Sequence, residues 1–136
     1  MCLVLEKRQR KIKWDKNGEA TLWKVYKKCI YTSAPIKDHY LESEWQGMCV
    51  DKPGQVISNR DNKGLYSTED SKIECGIHVF LTKPNRQYSN YIVVPVRCRK
   101  SDLVATGVDN GDQRCPSAVF MKVLLDKKTW KRIFGD

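Results

Sequence analysis

The side chains best suited to chemistry are two histidines, six cysteines and a dense run of cations near the start. His39 and His78 could act as an acid–base pair on a phosphate only if the fold brings both to one spot, and nothing in their local sequence does so. His78 stands two residues after Gly76, which lets a ligand or a second backbone approach. Glu74, His78 and Arg97 form a pocket candidate if the strands that carry them converge. The plainer alternative is a histidine bonded within its own sheet. Cys2, Cys29, Cys49, Cys75, Cys98 and Cys115 include no Cys-x-x-Cys pair, so a zinc ribbon or finger is not expected. Cys29, Cys75 and Cys98 lie in apolar runs and read as small core residues. The acids Glu42, Glu44, Glu69 and Asp70 read as solvated loop charge, not as the paired acids of metal-assisted or glycosyl transfer. No catalytic residue, cofactor or metal is assigned.

The cations carry a stronger signal. The net charge is +9, and residues 1–28 hold nine Lys/Arg against three acids, or +6 of that total. Such a density favours phosphate backbones, anionic surfaces or acidic proteins. Lys7, Arg8, Arg10, Lys11 and Lys13 open the set, and Lys24, Tyr26 and Lys28 follow at alternate positions. A face that interleaves cations with an aromatic ring suits a single strand of nucleic acid, where bases stack and phosphates meet lysine. It equally suits a solvated face with lysine stems lying over the ring. Arg97 and Arg99 are further candidates from a neighbouring strand.

The elements that must position these residues follow from periodicity. A length of 136 residues predicts one domain, residues 1–136. Asp15-Lys16-Asn17-Gly18 is a turn signature, making Lys7–Trp14 and Glu19–Thr32 a candidate first hairpin, with Ile12 and Trp14 inward or stacked. Asp38 could cap a short helix near 38–48, although Trp45–Val50 could equally enter a strand. Residues 55–74 are polar and fit a small hairpin or a long loop. Cys75–Leu81 and Tyr91–Arg99 are the densest β-branched and aromatic runs and are expected to pair, with Pro95 marking an edge or a bulge. Leu103–Ala105 and Ala118–Leu125 read as strands. Asp126 caps a C-terminal helix whose apolar stripe is Trp130, Ile133 and Phe134, and Gly135 stops it. The fold class expected is α+β: a mostly antiparallel, twisted sheet of five to seven strands with that helix on one face.

The order Lys24-Val25-Tyr26-Lys27, Gly76-Ile77-His78-Val79-Phe80 and Ala118-Val119-Phe120-Met121-Lys122-Val123, after a Met-Cys start, resembles small proteins of tailed phages. The resemblance implies a viral protein in the host cytoplasm and carries over no activity and no site residue. No apolar run is long enough for a membrane span. The first expectation is a non-enzymatic protein that docks by its basic surface on nucleic acid or on a nucleic-acid-handling host or defence complex, inhibiting or redirecting it. A small enzyme or nucleotide-binding protein built around His78, and a protein that self-assembles through a sheet edge, are the alternatives.

Overall fold

The computed structural model describes residues 3–33, 36–43, 49–58, 66–67, 72–73, 76–85, 91–109 and 115–135. The strands are β1 (Leu3–Leu5), β2 (Glu19–Ser33), β3 (Ile36–Ser43), β4 (Cys49–Val50), β5 (Gly54–Ile57), β6 (Tyr66–Ser67), β7 (Lys72–Ile73) and β8 (Ile77–Phe80). They continue with β9 (Tyr91–Arg99), a 3-10 turn at Lys100–Asp102, β10 (Leu103–Asp109), β11 (Pro116–Phe120) and β12 (Lys122–Leu125), and the chain closes in helix α1 (Lys127–Phe134). Neighbours run β5-β12-β9-β2-β8-β11-β10-β1-β7-β6, with β3 on β2 and β4 on β3. The class is the α+β expected, a mostly antiparallel sheet with a C-terminal helix, but the strands outnumber the five to seven read from the sequence.

β2 organises the sheet. It pairs with β9 from Glu19↔Arg99 to Lys27↔Tyr91, and with β3 from Tyr26↔Ser43 to Ser33↔Ile36. β8 meets it at Trp23↔Phe80. The expected pairing of β8 with β9 is therefore overturned: β2 lies between them. A fifteen-residue strand offers β9 a far longer ladder than the four residues of β8 can. Pro95 lies beyond the reach of β12, which meets β9 at Arg97 and Cys98, so its missing N–H falls where β9 has one neighbour among the described residues.

Three further expectations change. The helix near 38–48 is strand β3 as far as Ser43, and residues 44–48 lie outside the described residues. A lone helix of that length is marginal in water, whereas the ladder to β2 satisfies the backbone and buries Leu41. Residues 55–74, read as a small hairpin or a long loop, are divided between two pairings: Val56–Ile57 pairs with β12, while Tyr66–Ser67 pairs antiparallel with Lys72–Ile73. Ala118–Leu125 is two strands, broken at Met121. There the Met121 N–H donates to the Asp102 carbonyl (2.8 Å) and its carbonyl accepts from Ser58 N–H (2.8 Å). The break reverses which alternate residues face the core: Ala118 and Phe120 before it, Val123 and Leu125 after it.

Each face of the sheet carries an apolar cluster. On the first lie Leu22, Tyr26, Val79, Val96, Cys98 and Phe120, with Trp130, Ile133 and Phe134 of α1 packed over them. Asp126 caps α1 as expected, its carboxylate accepting from Thr129 N–H at 2.7 Å, and the Gly135 N–H closes the far end on Lys131. On the second face Leu3, Ala105 and Val119 cluster. Gly107 allows β1 to lie this close, because a Cβ there would overlap the Val4 carbonyl. β1 is thus fixed beside β10, and the chain must cross the sheet to reach β2.

Candidate nucleic-acid interface

That crossing is made by residues 6–14, which carry the first basic cluster. The expected hairpin partner for β2 is not formed here: Lys7–Trp14 has no strand structure, although the turn at Asp15–Gly18 is as expected. Gly18 takes φ +73° in that turn. The segment is strapped down at two points. Gln9 Oε1 accepts from the Thr106 N–H (2.9 Å) and hydroxyl (3.0 Å), and that hydroxyl oxygen accepts the Arg10 N–H at 2.7 Å. Further on, Ile12 and Trp14 pack inward as expected, with Trp14 edge-on to Phe120 at 6.3 Å between centroids. The side chains between these anchors are left outside.

Lys7, Arg8, Lys11 and Lys13 are all exposed, and among the described residues none is in a salt bridge. Arg10 is exposed too, but Glu6 neutralises it through a two-point contact at 2.6 and 3.1 Å. Four charges within seven residues, held on a fixed backbone, repel one another and are relieved by an anion laid along them.

The second cluster has the opposite environment. Tyr26 is 1% exposed and Lys24 is 6% exposed. Lys24 Nζ donates to the His78 carbonyl at 3.0 Å and sits 5.4 Å from the Tyr26 ring centroid. Tyr26 cannot stack on a base, nor Lys24 meet a phosphate, because both side chains are buried in the main core against β2. Burial raises the Tyr26 hydroxyl above its ordinary pKa, and the hydroxyl has no hydrogen-bond partner among the described residues. Lys28 is half-buried, its Nζ 5.6 Å from the Phe134 ring, against which His39 stacks at 5.2 Å.

Arg97 and Arg99 are exposed, and both guanidinium groups grip Glu19, Arg99 at 3.3 Å. Glu19 has no distinguishing mark in the sequence, and neither has the Gln9–Thr106 clamp. Only the tertiary pairing of distant strands reveals them. His78 and Arg97 do not converge. The register places Phe80 opposite Trp23, and thus His78 level with Val25, whereas Arg97 lies opposite Thr21 on the other flank of β2. Four residues of strand separate them by about 13 Å along β2. His78 Nδ1 lies 3.3 Å from the Gly76 carbonyl, and Glu74 falls outside the described residues.

Among the described cysteines, Cys98 is buried as expected, its thiol pushed up to about 12 by the apolar surroundings, and Cys29 is only half-buried. Cys2 and Cys75 lie outside the described residues. No group of His, Cys, Asp and Glu among the described residues has the geometry of a metal site, and no helix is long and apolar enough to cross a membrane. Comparison with protein-family models, with curated proteins and with solved structures returns no match.

Proposed function

We propose that this chain is a binding protein that docks through its crossing segment on the phosphate backbone of a nucleic acid, free or held within a host complex that handles it. In the phage setting that the sequence resembles, such docking would inhibit or redirect that complex. One observation carries the reading: Lys7, Arg8, Lys11 and Lys13 project from a backbone fixed by Gln9–Thr106 and by Trp14, with no carboxylate in salt-bridge range among the described residues. Fixed cations lose less freedom on binding than a free tail. The recognition is electrostatic and shape-based, since Tyr26 is withdrawn into the core.

The test is a titration of fluorescent 20-nucleotide single-stranded DNA, single-stranded RNA and duplex DNA against the intact protein at several salt concentrations. Binding that weakens steeply with salt supports the proposal, and absence of binding to all three at 50 mM salt refutes direct contact.

A further inference from the structure

The crossing segment and helix α1 rest on the same side of the sheet. Ile12 and Trp14 of the first and Trp130, Ile133 and Phe134 of the second pack on one core cluster, whereas Leu3, Ala105 and Val119 form the cluster of the opposite face. The side chains that neither element buries therefore project from the same side of the molecule. The helix exposes Lys127, Lys128, Lys131 and Arg132, and its sequence from Lys127 to Phe134 holds no acid. Among the described residues, Lys127, Lys128 and Arg132 are in no salt bridge. They join the exposed Lys7, Arg8, Lys11 and Lys13 of the crossing segment.

The acids beside these cations are already engaged. Glu6 pairs with Arg10, the Asp15 carboxylate accepts the N–H groups of Asn17 and Glu19, and Asp126 accepts the Thr129 N–H. Such a surface suits a polyanion better than a membrane or a protein. A membrane takes up the apolar side of a basic helix, and that side of α1 is spent on the core. A protein interface is anchored by apolar and aromatic side chains at its centre. Of the three exposed large apolar side chains among the described residues, Ile57 and Leu124 lie on the other face, each next to a core residue, Val56 or Val123. The third, Ile30, belongs to the β2–β3 arm.

We propose that the cations of α1 extend the nucleic-acid site of the crossing segment, so that one phosphate backbone runs over both elements. The proposal rests on the nucleic-acid reading of that segment. Lys7, Arg8, Lys11 and Lys13 take phosphates on one part of the path, and Lys127, Lys128 and Arg132 on the next. A 20-nucleotide strand is long enough for this. Stacked at about 3.4 Å per nucleotide it reaches roughly 70 Å, against about 35–40 Å across a domain of this size.

The experiment titrates a fluorescent single-stranded 20-nucleotide DNA against the intact protein across salt, with three variants checked for fold by circular dichroism. Changing Lys127, Lys128 and Arg132 together to Gln should lower the magnitude of the salt slope by about 2, from three lost contacts at ~0.7 each, and weaken binding at least ~10-fold at low salt. Gln is a good helix former, so α1 should persist. A charge-matched control changes Lys27, Lys83 and Lys122 to Gln. Lys27 and Lys122 alternate with the core residues Tyr26 and Val123, and Lys83 lies over Trp23, which alternates with Leu22, so all three mark the opposite face. The control should move the slope by less than about 0.5. An unchanged slope in the α1 variant, or equal falls in that variant and the control, overturns the shared path. The third variant, with Lys7, Arg8, Lys11 and Lys13 changed to Gln, separates the two readings. If it lowers the slope while the α1 variant does not, the crossing segment binds alone and only this inference fails. Absence of binding by the wild type removes the nucleic-acid reading and this inference with it. If the α1 variant instead loses binding to vesicles of equal parts phosphatidylserine and phosphatidylcholine, with its DNA slope unchanged, the helix belongs to a membrane and the proposal is overturned.

Discussion

Lys7–Lys13 and Lys24–Lys28 hold the same kinds of residue, and the fold sends them to opposite environments. The first lies across the sheet, pinned at Gln9 and Trp14, with its cations in water. The second lies inside the sheet, where Lys24 is consumed by the His78 carbonyl and Tyr26 by the core. The difference teaches that alternation of cation and ring along a strand does not reveal which face reaches solvent. Position in the sheet decides it. β2 carries β9 on one side and β8 and β3 on the other, and the Tyr26 ring lies in the main core against which α1 packs.

Mutations should separate the two regions by stability and by binding. Tyr26→Ala should have the largest effect, about 3–5 kcal/mol lost in denaturant unfolding, because a large buried ring leaves a cavity. If Tyr26 were instead a solvated stacking surface, the loss would stay within about 0.5 kcal/mol. Lys24→Ala should cost about 2 kcal/mol, since the His78 carbonyl loses its donor and the lysine stem its packing. Tyr26→Phe should move the other way, leaving stability unchanged or raised by about 1 kcal/mol, because it removes a buried hydroxyl with no partner among the described residues.

Helix α1, packed against the main core, supplies a pH-dependent check. The Asp126 carboxyl is held below the usual carboxylate range by the Thr129 backbone N–H and then by its side chain. A depressed folded pKa contributes stability above the unfolded value, near 3.9, and that contribution is lost as pH falls through the folded value. Asp126→Ala should therefore cost about 1 kcal/mol at pH 7 and progressively less on acidification below about pH 4. Thermal melts of both proteins across that range give the comparison. Single changes of Lys7, Arg8, Lys11 or Lys13 to Gln should have the smallest effect on stability, within about 0.5 kcal/mol.

Local signals made much of the fold legible. The Asn17-Gly18 turn, the Asp126 cap, the stripe Trp130, Ile133 and Phe134, and the inward Ile12 and Trp14 all depend on neighbours within a few residues. Partner choice was not legible. β8 and β9 looked like a pair because both are rich in β-branched residues, but nothing local shows that β2 is long enough to come between them. Leu41 read as one turn of a helix because its i, i+4 partner Trp45 supports that spacing, whereas the competing ladder comes from the other arm of the hairpin. In the candidate interface, the cations were visible as a run, but their strap was not. Gln9 and Thr106 are ordinary polar residues separated by 97 positions.

The central claim is that fixed cations on the crossing segment meet phosphates, and salt-dependent binding to a single-stranded oligonucleotide tests it most directly. The wild-type logarithm of affinity should fall linearly with the logarithm of salt. In the protein with Lys7, Arg8, Lys11 and Lys13 all changed to Gln, the magnitude of that slope should drop by about 3, from four lost contacts at ~0.7 each. An unchanged slope and affinity in that variant, with its fold intact by circular dichroism, would contradict the account.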